Sequence, residues 1–128
     1  MDTNEILIIE NEYASVKDAF DTANILGFDS SLEIEHIDKS QDVPYHRLNE
    51  FVTIFVDISL ATKSSMDGYG IITKIKEQFG DFNYHKIVVI SGSSKVQEGL
   101  ENRGFGDIRL LTKPLFFEDL INEIQKRT

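Results

Sequence analysis

Three short runs are apolar and largely β-branched at almost every position: Ile6-Leu7-Ile8-Ile9, Val52-Thr53-Ile54-Phe55-Val56 and Ile87-Val88-Val89-Ile90. Side chains alternate between the two faces of a strand. A run that is apolar throughout therefore needs cover on both faces, which is the condition of a central strand in a parallel sheet. Two other runs differ. Leu32-Glu33-Ile34-Glu35-His36-Ile37 mixes charge with apolar residues and reads as an edge strand, where Glu33 and Glu35 discourage edge-to-edge pairing. Ile108-Arg109-Leu110-Leu111 is the second edge-like run.

Helical periods separate these strands. Val16, Ala19, Phe20 and Ala23 share one face, with Gly27 as the expected terminator. Pro44 suits a helix first turn, so Val43 to Glu50 is predicted as a short helix. Ile71, Ile72, Ile75 and Phe79 form the next face, closed by Gly80. Val96 and Leu100 form a weaker one with Gly99 inside it, closed by Gly104. Phe117, Leu120, Ile121 and Ile124 follow Pro114 in the last helix. Strand and helix alternate five times, which predicts an α/β, doubly wound, five-stranded parallel sheet with helices on both faces. Two edge-like and three buried strands fit the flavodoxin-like order 2-1-3-4-5.

Composition narrows the function. The 128 residues suit a single domain over 1-128, with no repeat, low-complexity tract or linker. Asp+Glu number 22 against 13 Lys+Arg, a net charge of −9. Phosphate backbones repel such a chain and no basic stripe offsets this, so no direct nucleic acid contact is expected. The absence of cysteine excludes a disulfide scaffold, a zinc ribbon and a thiol nucleophile, and fits a reducing compartment. Met1-Asp2-Thr3-Asn4-Glu5 is too acidic for a secretory signal, and no apolar run approaches the roughly 20 residues that span a bilayer. A cytoplasmic protein without membrane contact is the expectation.

In this order of strands, ligands bind outside the carboxyl ends, where strands one and three diverge. The residues there are Glu10-Asn11-Glu12 after strand one, Asp57 after strand three, Ser91-Gly92 after strand four and Thr112-Lys113-Pro114 after strand five. Carboxylate oxygens suit Mg²⁺, and a hydroxyl and an ammonium suit phosphoryl oxygens. Each residue also has a plain reading. Glu10 or Glu12 can cap a helix, Ser91, Ser93 and Ser94 can cap the helix that follows, and Lys113 can be solvated. Asp57 is harder to dismiss, since four apolar neighbours lead into it. His36, His46 and His85 show no ligand spacing and read as surface or strand-end residues. Gly68-Tyr69-Gly70 lacks the lysine and preceding strand of a phosphate loop.

These residues, with Asp67-Gly68, resemble in order and position the CheY-like receiver domains of two-component response regulators. The resemblance covers nearly the whole chain. It implies that Asp57 is a phosphoacceptor, attacking a phosphohistidine on a sensor histidine kinase or phosphotransfer protein. It implies that Glu10, Asn11, Asp57 and the backbone carbonyl of Ser59 surround Mg²⁺, and that Ser91 and Lys113 bind the phosphoryl oxygens. Asp67-Gly68 resembles the pair that opens a helix after the site. Such a domain is not a turnover enzyme, though it assists its own phosphorylation and dephosphorylation. Its signal leaves through a downstream protein partner or output domain. The usual surface is the fourth helix, fifth strand and fifth helix, counting Val43 to Glu50 as the second helix, and that face also implies a homodimer.

Three departures stand out. Asn11 replaces the second acid of the family's cluster; the missing charge–charge term is about 4 kcal/mol at 4 Å and an effective dielectric of 20, so Mg²⁺ should bind more weakly. The loop from Ile58 to Met66 is about three residues longer than usual, lacks the common proline and is expected to form a mobile flap, with Lys63 either reaching the acidic rim or solvated. Leu110 stands where the family carries an aromatic switch residue, so the weakly held segment Ser91 to Gly104 is expected to shift instead, biased through Ser91. Two alternatives follow. One is a degenerate receiver that acts as an unphosphorylated interaction module. The other is a flavin binder of the flavodoxin type, which Glu10-Asn11-Glu12 opposes by repelling phosphate.

Overall fold

The computed structural model describes residues 4–60 and 63–128. Five strands, β1 (Glu5–Ile9), β2 (Glu33–Ile37), β3 (Thr53–Asp57), β4 (Ile87–Ser91) and β5 (Arg109–Thr112), form one parallel sheet in the order β2-β1-β3-β4-β5. The four helices are α1 (Tyr13–Phe28), α2 (Gly68–Gln78), α3 (Val96–Asn102) and α4 (Phe117–Gln125). The doubly wound order expected from the apolar runs is the order observed.

The central strands are covered on both sides, as their composition requires. Leu7, Ile9, Ile54, Val56, Ile87 and Val89 face a core built with α2 and α3. Ile6, Ile8, Phe55, Val88 and Ile90 face a second core built with α1 and α4, where Phe20 meets Phe55 edge-on at 4.9 Å. Every residue of β3 and β4 is buried, which leaves the carboxyl ends as the place where their polar residues meet solvent.

Two predicted details are corrected. Gly27 does not end α1; the helix runs through Phe28, and the left-handed Asp29 (φ 52°) caps it. Gly27 is small for another reason, because a Cβ there would lie 2.6 Å from Ile121 on α4. The glycine lets the two helices approach. The segment Val43 to Glu50 is not an α-helix but a 3₁₀ stretch over Tyr45–Glu50, preceded by another over Ser40–Asp42. Pro44 fixes the bend between them without a side-chain cap.

Gly99, in α3, has a packing role. Its missing side chain makes room for the Tyr69 ring, whose hydroxyl would lie 2.1 Å from a Cβ at that position. The Arg103 guanidinium covers that ring at 3.8 Å. The short α3, held by buried Val96 and Leu100, is therefore also held by a side chain from α2.

Asp67 caps α2 by accepting the Gly70 N–H, and Gly68 donates to the Ile58 carbonyl. A Cβ on Gly68 would lie 2.5 Å from the Asp57 carbonyl oxygen and 2.7 Å from Ile58 Cα. These are backbone atoms that cannot swing away. Gly68→Ala, favourable in an ordinary helix, should here cost about 1–3 kcal/mol. Thermal unfolding checks this, and an unchanged melting temperature would mean that the strand end and helix start can separate freely.

Candidate functional site

The strand ends bring Glu10, Asn11, Asp57, Ser59, Ser91 and Lys113 to the lining of one open cleft of about 480 Å³. Sequence reasoning anticipated all six. Each is placed by backbone pairing. Asp57 ends β3 opposite Ile90, and Ser91 ends β4 opposite Thr112. Lys113 continues the β5 ladder by donating its N–H to the Ser91 carbonyl at 2.8 Å. Glu10 follows β1 and donates its N–H to the Ile37 carbonyl of β2.

The charges are tightly arranged. Glu10 is fully buried, Ser91 2% exposed and Asp57 3% exposed. The Lys113 ammonium donates to both Glu10 carboxylate oxygens at 3.0 Å and reaches Asp57 Oδ2 at 3.5 Å. The lysine therefore rests chiefly on Glu10. Glu10 Oε1 also accepts the Glu12 N–H, and Asp57 Oδ1 accepts the Ser59 N–H at 3.2 Å. Glu12 stands at the N-cap of α1 without a side-chain capping bond; before α3 the serines do have a structural role, since Ser93 Oγ accepts the Lys95 N–H at 3.2 Å and Ser91 Oγ accepts the Ser93 N–H at 3.1 Å.

These surroundings set the protonation states. Burial pushes the Asp57 carboxyl up, and hydrogen bonding and charge from Glu10 push it further, against the opposing pull of Lys113 and the Ser59 N–H; the result is about 7. Burial alone would lower the Lys113 ammonium, but its bond to Glu10 and the two nearby negative charges outweigh that and raise it. A carboxyl that titrates near neutrality and a firmly charged lysine are the outcome.

Oxygen donors fit a hard divalent cation in kind. Glu10 and Asp57 supply two carboxylates, Asn11 an amide and Ser59 a backbone carbonyl. No group of three or more His, Cys, Asp or Glu gathers among the described residues. A cation at Glu10 must also compete with the Lys113 ammonium already bound there.

Leu110 is not in the cleft; it packs against the core beside α2 and α3. His36 is exposed near the end of β2, as expected, and it also stacks on Tyr13 at 4.2 Å with its Nε2 2.7 Å from the Glu10 carbonyl oxygen. No spacing in the sequence signals that contact. In the loop expected to form a flap after Asp57, residues 63–66 are hydrogen-bonded to Ser40 and Gln41; Ala61 and Thr62 of that loop lie outside the described residues, as do Met1 to Thr3. Lys63 is exposed, and its backbone carbonyl is bonded to Gln41.

A second charged cleft, at the amino ends of β4 and β5, is internally satisfied. Buried Glu123 is paired with Arg109 at 2.9 Å and Arg127 at 3.1 Å. Burial alone would raise its pKa, but these bonds outweigh that and lower it. No helix among the described residues is long and apolar enough to cross a membrane.

No family model and no curated protein matches the chain. Solved structures do. A CheY-like response regulator receiver domain protein from Methanospirillum hungatei superposes with a TM-score of 0.68 at 18% identity, covering 96% of this chain and 91% of that one. The receiver domain of NtrX from Brucella abortus gives 0.67 at 21% identity, covering 95% and 96%. A response regulator receiver domain protein from Clostridium thermocellum gives 0.69 at 18% identity, covering 97% and 93%. The fold is thus the CheY-like form of the flavodoxin-like fold. Its structural neighbours over nearly the full chain are receiver domains of response regulators.

Asp57 binds a proton more readily folded than unfolded, where its pKa is 3.8. Its contribution to stability is therefore present below about pH 4 and lost as pH rises toward 7. Asp57→Asn removes that loss, while Lys113 keeps Glu10 as its partner. The variant should melt higher than wild type at pH 8, and the gap should close by pH 4. A constant gap across that range would mean that Asp57 is ionised throughout.

Proposed function

We propose that this chain is the receiver domain of a response regulator, taking a phosphoryl group on Asp57 from a sensor histidine kinase or a phosphotransfer protein. The observation that carries this reading is the buried Asp57 at the carboxyl rim, with Glu10, Ser91 and Lys113 converging beside it. An Asp57 oxygen attacks phosphorus, the phosphorus–nitrogen bond of the donor phosphohistidine breaks, and the electron pair returns to the imidazole, which takes up a proton. An acyl phosphate remains on Asp57. Lys113 and Ser91 bind the phosphoryl oxygens, so catalysis is positioning and charge neutralisation. Glu10, Asn11, Asp57 and the Ser59 carbonyl would hold Mg²⁺, which when bound supplies positive charge against the carboxylates and the phosphoryl oxygens.

The domain is not a turnover enzyme. It acts in the cytoplasm and passes its signal through protein contacts, to a downstream partner or an output domain. The face of α3, β5 and α4 is the proposed output and homodimer surface, with Ser91 and Leu110 as the switch region. Direct nucleic acid contact is not part of this reading, given the net charge of −9.

A degenerate receiver is the second reading. Asn11, Leu110 and the parking of Lys113 on Glu10 favour it. Intact mass after incubation with acetyl phosphate and Mg²⁺ separates the two. Wild type should gain one phosphoryl mass and Asp57→Asn none; no gain in wild type at saturating Mg²⁺ selects the degenerate module.

Asn11→Asp restores a third carboxylate and should tighten Mg²⁺ several-fold, while lowering stability without metal through repulsion from Glu10 and Asp57. Calorimetric titration of both proteins checks this. Equal affinities would place residue 11 away from the ion.

A further inference from the structure

The loop after Asp57 is held by a polar latch that the phosphotransfer reading does not use. Ser40 is fully buried. Its N–H donates to Ser64 Oγ at 2.8 Å, and its hydroxyl oxygen accepts the Met66 N–H at 2.9 Å. Ser64 Oγ donates onward to the Met66 carbonyl at 2.6 Å. Beside it, Gln41 Nε2 donates to the Lys63 carbonyl at 2.8 Å, and Gln41 Oε1 accepts the Ser65 N–H at 3.0 Å. Residues 63 to 66 are thus all engaged, from two neighbouring residues that follow β2.

We propose that Ser40, Gln41 and Ser64 are positioning residues of the Asp57 site, acting through the backbone at Ser59. The inference rests on the phosphotransfer reading for its functional consequence. The loop has three fixed points. Ile58 is tied to Gly68, Leu60 packs on the core, and the latch fastens residues 63 to 66. Ser59 lies between the first two and is exposed; the hydrogen bond its N–H makes is to Asp57 Oδ1. A loop lengthened at this point has more conformations to lose, and that cost must be met by contacts elsewhere in it. The latch supplies them. Without it, Ile58 and Leu60 are the two holds left on the segment that carries Ser59, whose N–H orients the Asp57 carboxylate and which itself lines the cleft. Attack in line on phosphorus tolerates little misplacement, of the order of 1 Å for a 100-fold loss.

The test uses the full chain with Ser64→Ala, Gln41→Ala and Ser64→Thr. Two quantities are read: backbone amide exchange in the unphosphorylated protein, and the initial rate of phosphorylation by acetyl phosphate at saturating Mg²⁺. Ser64→Ala should speed exchange at Ser59, Ser65 and Met66 about 10-fold and slow phosphorylation by about the same factor. Ser64→Thr, which keeps the hydroxyl, should restore both. Gln41 is exposed, so Gln41→Ala carries the same comparison if Ser64→Ala does not fold. Faster exchange at Ser65 and Met66, with Ser59 exchange and phosphorylation at wild-type values, overturns the proposal: the latch would then order only its own loop. If wild type takes up no phosphoryl group, the phosphotransfer reading fails, and exchange at Ser59 alone decides whether the latch positions the site.

Discussion

The Lys113 ammonium is the contact on which the site depends. It lies 3.0 Å from both oxygens of a fully buried Glu10 and 3.5 Å from Asp57. Two carboxylates buried side by side repel, and each loses hydration. One lysine, brought there by the β5 ladder, offsets both. The offset is unequal. Glu10 takes most of the lysine, and Asp57 is left with a carboxyl raised toward neutrality. A buried, weakly paired, readily protonated carboxyl at the mouth of a cleft is an unusual object in a core, and it is the feature that most needs a functional explanation.

The sheet explains why these groups meet. The three central strands are covered on both faces, so they leave no room for polar side chains along their length. Charge is confined to their ends. Because all strands are parallel, their carboxyl ends lie on one rim, and residues as far apart in sequence as Glu10 and Lys113 come into direct contact. Small residues complete the construction where elements must approach closely. Gly68 allows α2 to start against the end of β3, and Gly27 allows α1 to lie against α4.

The loop after Asp57 shows a different solution to the same demand for fixed geometry. A short loop is held by its own ends. This one borrows Ser40 and Gln41 from the connection after β2, and buries a serine completely to do so. His36 at the end of β2 also contacts the Glu10 carbonyl. The edge strand β2 and the residues after it therefore support the site from outside, although they contribute no side chain to the cleft lining.

The sequence by itself determined the sheet, its order and the residues at its rim. Burial on both faces leaves a continuous apolar run that needs no knowledge of partners, and a polar residue at the carboxyl end of such a strand has one place to go. The tertiary structure alone decided the rest. Gly27 looked like a helix terminator because a glycine after an apolar face usually is one; only the approach of Ile121 reveals that space was the reason. Val43 to Glu50 looked α-helical because Pro44 opens either kind of turn. Ser40, Gln41 and Ser64 carried no signal at all. A polar side chain's role is set by which donors and acceptors reach it when it is buried, and those partners come from segments more than twenty residues away.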